Sequence, residues 1–216
     1  MQTLKDFLEI LYYLSGPVLV IVAIYGLKQI KISSQQIKET RETRKISSKR
    51  EAYNIAAEQC KYYIETIIPL LNKLDEIIDV KKLEYFEKSE IIIDNEKIAV
   101  KPYMTNGALD KVFNECLEEM HTVINCIESF SVYFVSGVAA DIVGFNTLGR
   151  TYTNSVRKLL PIIIPFGKDG SFKHTKGLFT AWNARIDKEA LLKEKEEVEK
   201  KIKNQRTISI NTIGTK

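Results

Sequence analysis

From Ile10 to Leu27 the chain reads ILYYLSGPVLVIVAIYGL, and no residue in that stretch carries a charge. About 18 apolar or weakly polar residues make a helix of roughly 27 Å, close to the depth of a bilayer's hydrocarbon core. A helix lying on a soluble core shows a polar face, and this one has none. The segment therefore predicts a membrane span, bounded by Glu9 and Lys28. Gly16 and Pro17 fall inside it. A bilayer helix tolerates both, because neighbouring helices and polar side chains re-satisfy freed carbonyls. Tyr12 and Tyr13 near one end and Tyr25 near the other suit the two interfaces.

A cleaved signal peptide needs a basic start and a small-residue cleavage site. MQTLKDFLE is mixed in charge, and the span runs into Lys28-Gln29-Ile30-Lys31 without an A-x-A pattern, so the segment reads as an uncleaved anchor. Its flanks set the orientation. Lys28, Lys31, Lys38, Arg41, Arg44, Lys45, Lys49 and Arg50 follow the span against Glu39 and Glu42, whereas only Lys5, Asp6 and Glu9 precede it. Excess Lys and Arg marks the cytoplasmic side. A single-pass protein of the bacterial inner membrane is expected, with its N-terminus outside and its main domain in the cytoplasm.

About 190 residues remain after the anchor, enough for one domain with a real core. The net charge of +4 is modest, and the juxtamembrane run accounts for much of it. Beside a membrane, Lys28, Lys31, Lys38, Arg41, Arg44 and Lys45 read as a lipid-facing basic stalk. No aromatic residue interleaves Lys28 to Arg50, so base stacking has no support there. Cys60, Cys116 and Cys126 form no C-x-x-C pair and read as reduced thiols. With His121 and His174 as the only histidines, no metal-ligand spacing emerges, and no cofactor is expected.

The predicted fold is all-α: a transmembrane helix continuing into a stalk, then a cytosolic helical bundle. The expected organisation is an extracytoplasmic tail over 1–9, the span over 10–30, the basic stalk over 31–51, the bundle over 52–186 and a charged C-terminal helix and tail over 187–216. Ile64, Ile67, Ile68, Leu71, Leu74 and Ile78 form a helical stripe, which Pro69 should kink or divide. Residues 81–104 break the pattern. There Glu90–Ile93 and Lys97–Val100 suit a small β-hairpin, and an irregular excursion fits equally well. Asn106 is the expected N-cap of a long helix carrying Leu109, Val112, Phe113, Cys116, Leu117, Met120, Val123, Ile124, Ile127 and Phe134, with Gly137 as its stop. Short helices are expected over 138–147 and 151–160, the second ended by Pro161 and Pro165. A last helix should run from Thr175 to Arg206, anchored by Phe179, Trp182 and Ile186. Its second half, KEKEEVEKKIKNQR, is a solvated face or the dock for a protein partner. The end, TISINTIGTK, reads as frayed.

Motifs for chemistry are scarce. Gly144-Phe145-Asn146-Thr147-Leu148-Gly149-Arg150-Thr151 has P-loop spacing, but Arg150 replaces the phosphate lysine and the preceding AADIVGF reads as helix rather than strand. These glycines suit a turn between helices instead. His121 falls among stripe positions and is expected to be a partly buried, satisfied imidazole. His174 lies in the polar loop GKDGSFKHTKG, where solvent exposure is expected. In class the chain resembles HEPN-type ribonuclease bundles, whose signature is an arginine followed four to six residues later by histidine. No arginine here has that partner, and Ser155 stands where the histidine after Arg150 would be. Arg150 is left as a speculative RNA contact on a degenerate relative of that bundle.

Asn125-Cys126-Ile127-Glu128-Ser129-Phe130, the turn Val135-Ser136-Gly137-Val138, Asp141 and Tyr152 through Leu160-Pro161 carry a further likeness. Together with Leu178-Phe179-Thr180-Ala181-Trp182 they resemble a bacterial family of single-pass, membrane-anchored helical domains of unknown function. The resemblance spans roughly residues 10–186 and supplies no catalytic residues. In architecture the chain is also similar to small one-pass accessory proteins of bacterial antiviral systems, including those beside RNA-guided RNA-targeting effectors. That likeness implies a helical domain that oligomerises so that the membrane segments act together.

The function expected is therefore that of a non-enzymatic membrane effector or accessory protein of antiviral defence, a homo-oligomer that perturbs or permeabilises the inner membrane. Ser15, Gly16, Pro17, Ala23 and Gly26 would let the spans approach closely. The alternatives are a membrane-tethered scaffold that recruits a protein through its charged C-terminal helix, and an RNA-binding bundle using Arg150 or the basic stalk. No small-molecule substrate is evident.

Overall fold

The computed structural model describes residues 2–94, 97–167 and 170–204. It is mostly helical, with a two-stranded sheet. The chain divides after Glu51 into two compact units.

The first unit is helix alone, the leading part of α1 (Gln2–Tyr62). Pro17 sits inside α1 without ending it. Every described side chain from Gln2 to Glu51 is exposed. α1 is long and apolar enough to cross a membrane by length and composition, and none of its most apolar window is buried.

The second unit opens with the last turns of α1, which pass into a π-helical turn over Tyr63–Ile67 and then α2 (Ile68–Lys81). Pro69 divides the stripe through that turn. Its ring clashes with the carbonyl four residues back and it has no N–H to donate. Widening the turn removes the demand, and the Ile68 amide reaches Tyr63 O instead. Tyr63 and Ile67 are buried there. A left-handed Lys82 (φ 51°) closes α2, and the short α3 (Glu84–Lys88) follows.

Residues 90–101 form a hairpin. β1 (Glu90–Asp94) pairs antiparallel with β2 (Lys97–Lys101), Glu90 opposite Lys101 and Ile93 opposite Ile98. Residues 95 and 96 of the expected turn lie outside the described residues. Ile91, Ile93, Ile98 and Val100 lie against the core, as the two-residue period of a strand requires.

α4 (Ala108–Val135) is capped by Gly107 at φ +65°, not by Asn106, which falls in a preceding 3-10 turn. The helix is kinked at Cys116 (φ −147°, ψ 21°), where the thiol donates to Val112 O at 3.3 Å. Leu117 and His121, expected on the apolar stripe, are exposed.

α5 (Asp141–Phe166) replaces the two short helices expected here. It runs through Gly149, Pro161 and Pro165 without a break. Gly144 and Gly149 do not make a turn: a Cβ on Gly144 would sit 2.3 Å from the Phe134 ring, and one on Gly149 2.8 Å from the Phe145 ring. Both glycines exist for close packing inside the helix. Pro161, Ile162 and Ile163 are buried, so tertiary contacts offset the cost of about 3 kcal/mol per interior proline.

α6 (Lys173–Asn204) packs its first half against α4 and α5; Arg206 lies outside the described residues. An aromatic cluster joins these helices. Trp182 meets Tyr152 at 5.0 Å, Phe134 at 5.5 Å and Phe145 at 6.0 Å between ring centroids, and Phe130 meets Tyr63 at 4.9 Å. Edge-on pairs of this kind add to what burial alone supplies.

Candidate functional site

On α1 the five residues expected to let spans approach do not share one face. At 100° per residue, Ser15, Gly16, Ala23 and Gly26 fall within an arc of about 100°, while Pro17 lies outside it. A Cβ at Gly16 or Gly26 would meet nothing within 4 Å, so neither glycine serves packing inside the chain. Ser15 Oγ donates to Tyr12 O at 2.7 Å. That bond covers the hydroxyl's polarity within the helix, as an apolar setting demands.

The same arc continues into the stalk. Gly26, Ile30, Ser33, Ser34, Ile37 and Arg41 line a shallow groove along α1. Ala23, Ile30 and Ile37 recur every seven residues, and so do Leu19, Gly26, Ser33 and Thr40. This seam runs from the apolar segment into the basic stretch and, in a straight helix, drifts by about 20° every seven residues. The basic residues split across it. Lys31, Lys38 and Lys45 form their own seven-residue line, Arg41 and Arg44 lie on the seam side, and Lys28 stands apart. All are exposed.

Residues far apart in sequence build a polar cluster between α4 and α6. Glu128 accepts four hydrogen bonds: from the His174 amide at 3.2 Å, His174 Nδ1 at 2.7 Å, the Thr175 amide at 2.8 Å and Thr175 Oγ1 at 2.7 Å. A carboxylate from α4 thus caps the N-terminus of α6, whose first amides have no partner in their own helix. Burial raises the Glu128 carboxyl, but the hydrogen bonds from Thr175 and His174 outweigh it and hold the group below its ordinary value. Beside this cap, Ser131 Oγ donates to Ile127 O at 2.6 Å, and Tyr152 Oη lies 2.8 Å from Ser131 Oγ and 3.3 Å from Thr175 O. Burial drives the Tyr152 phenol well above its usual range. Burial favours the neutral phenol here, and the ring of His174 is taken up by Glu128. The cluster is a structural tie.

His174 is therefore partly buried and paired, not free in its loop. His121 is exposed, with Nε2 3.3 Å from Asn125 Nδ2. The only sign of this tie in the sequence was Glu128 itself, one acid on the core-facing side of an apolar helix. Asp141 makes a similar tie at the start of α5: Trp182 Nε1 donates to it at 2.7 Å and Arg185 Nη1 at 3.4 Å.

Arg150 lies on the exposed face of α5, and Ser155 Oγ donates to Thr151 O at 2.9 Å. The two do not form a catalytic pair. The P-loop spacing falls wholly within α5, so no strand end is present to cradle a phosphate. Cys60 and Cys116 are buried and Cys126 is half-buried, all as free thiols. Burial pushes the Cys116 thiol to about 11, with Glu119 and Glu115 adding to the shift. No group of three or more His, Cys, Asp or Glu suited to a metal ion occurs among the described residues. Compared with protein families, curated proteins and solved structures, the chain matches none.

Proposed function

We propose that the chain is a non-enzymatic membrane effector or accessory protein of bacterial antiviral defence. Its helical second unit assembles into a homo-oligomer, and assembly gathers the Ile10–Leu27 helices, which perturb or permeabilise the inner membrane. One observation carries the reading. Among the described residues none of the most apolar window of α1 is buried, and such a surface calls for lipid or for other copies.

Several copies are required because one apolar helix cannot enclose a water path. The arc of Ser15, Gly16, Ala23 and Gly26 supplies the small side chains that let helix backbones approach. The excess of Lys and Arg after the apolar segment supports a cytoplasmic second unit. The setting in antiviral defence rests on likeness of architecture alone.

The test is to express the intact chain in an activated defence system and follow membrane potential with a voltage-sensitive dye. Loss of potential that disappears when residues 1–27 are deleted is the expected result. Undisturbed potential, or a monomeric mass in detergent, would overturn the proposal.

A further inference from the structure

From Ala190 to Asn204 every residue of α6 is exposed. Leu191 is 65%, Val198 47% and Ile202 64% accessible. Seven and four residues apart, these three fall within about 40° of one another around the helix. They form an apolar line on a mostly charged rod, with Lys195 between them and Leu192, also exposed, beside the line. We propose that this line is where two copies of the chain meet, as an antiparallel pair of α6 helices.

Charge decides the direction. In a parallel pair with Leu191 and Val198 at the seam, Glu194 of one copy faces Glu199 of the other, and the clash occurs on both sides. In an antiparallel pair centred between Glu196 and Glu197, Leu191 meets Ile202 of the second copy. The Lys195 stem lies along Val198, and Glu194 faces Lys201 twice over. Within its own chain, Lys195 Nζ already leans toward Glu199 Oε1, 3.8 Å away, which carries its charge off the seam. Like charges exclude one arrangement and opposite charges select the other.

Three apolar side chains per copy cover far less than the roughly 1,000 Å² expected of an interface that holds in free solution. Two copies anchored in one membrane need less, because tethering puts partners at an effective concentration of order millimolar. To that extent the pairing rests on the anchor reading.

The test uses the full chain in native membranes, with Leu191→Cys in one tagged copy and Ile202→Cys in another. Oxidation with copper phenanthroline should join the two. Leu191→Cys should not join itself, since two Leu191 positions lie roughly 16 Å apart along an antiparallel pair. The unsubstituted chain, with Cys60 and Cys116 buried, sets the background. A Leu191–Leu191 product, or cross-linking no greater than background, overturns the proposal. Glu194→Lys or Lys201→Glu alone should lower the cross-link several-fold, and both in one chain should restore it. A Leu191–Leu191 product that rises with Glu194→Lys alone reports a parallel pair and also overturns it. Cross-linking without depolarisation supports the pairing and removes the effector reading, and depolarisation without cross-linking does the reverse.

Discussion

The Tyr85 hydroxyl donates to the Pro161 carbonyl at 3.0 Å, and that carbonyl is one that α5 cannot satisfy by itself. Its helical partner would be the amide four residues on, where Pro165 has no N–H. Tyr85 is buried on the short α3. A side chain 76 residues away thus supplies one bond that the ladder of α5 lacks.

Tyr85→Phe should cost about 1–3 kcal/mol, the usual penalty for orphaning a buried carbonyl. Pro165→Ala returns an N–H to the ladder, so Tyr85→Phe should cost less in that background. Urea midpoints of the four proteins of this cycle, in detergent, measure the coupling, and additive effects would contradict the account.

Gly144→Ala should destabilise by about 1–3 kcal/mol, because a methyl there drives into Phe134 and the core must shift. Gly144→Ala with Phe134→Leu should recover part of that loss. Thermal unfolding of the single and double variants decides it.

Glu128 should make the acid limb of stability steep. Its folded pKa lies below the ordinary 4.5, so its contribution is complete above that value and is lost as pH falls through the folded pKa. Glu128→Gln should lower Tm near neutral pH and lose less on acidification than the parent does. Parallel curves between pH 6 and pH 3 would show that Glu128 contributes nothing to the acid limb.

Ile21→Lys places a charge near the middle of the apolar segment, at a cost of about 2.5–3.5 kcal/mol for insertion. The variant should leave the carbonate-resistant membrane fraction. Ile46→Lys, the same change on the basic stretch of α1, should stay with it.

Much of the helical layout was legible in the sequence. The stripe from Ile67 to Ile78, the division at Pro69 and most of the core face of α4 follow from apolar period and proline chemistry, but Ile64 is exposed and Tyr63 is buried in its place. The hairpin is one of two readings the sequence leaves open, because Ile91-Ile92-Ile93 does not show which side chains face the core. The region from Gly144 to Pro165 read wrongly because glycine and proline were weighed as local breakers. Phe134, Phe145 and Tyr85 supply what those residues lack, and none of them is visible as a partner until the chain is folded. Leu117 keeps the period of the core stripe, yet it is exposed, next to the kink at Cys116. The ties at Glu128 and Asp141 were hidden for a different reason, since a lone acid on a helix has no local signature.

Read alone, the residues show where charge is absent and where apolar side chains recur: an uncharged segment long enough to span a bilayer, and helices with one greasy side. These depend only on spacing along the chain. Only folding settles which breakers break, that Glu128 caps α6, and that Arg150 lies on an exposed face. Local propensity is worth at most about 3 kcal/mol at a proline and less elsewhere. Packing and hydrogen bonds between residues 46 or 76 positions apart override it once folding brings those residues together.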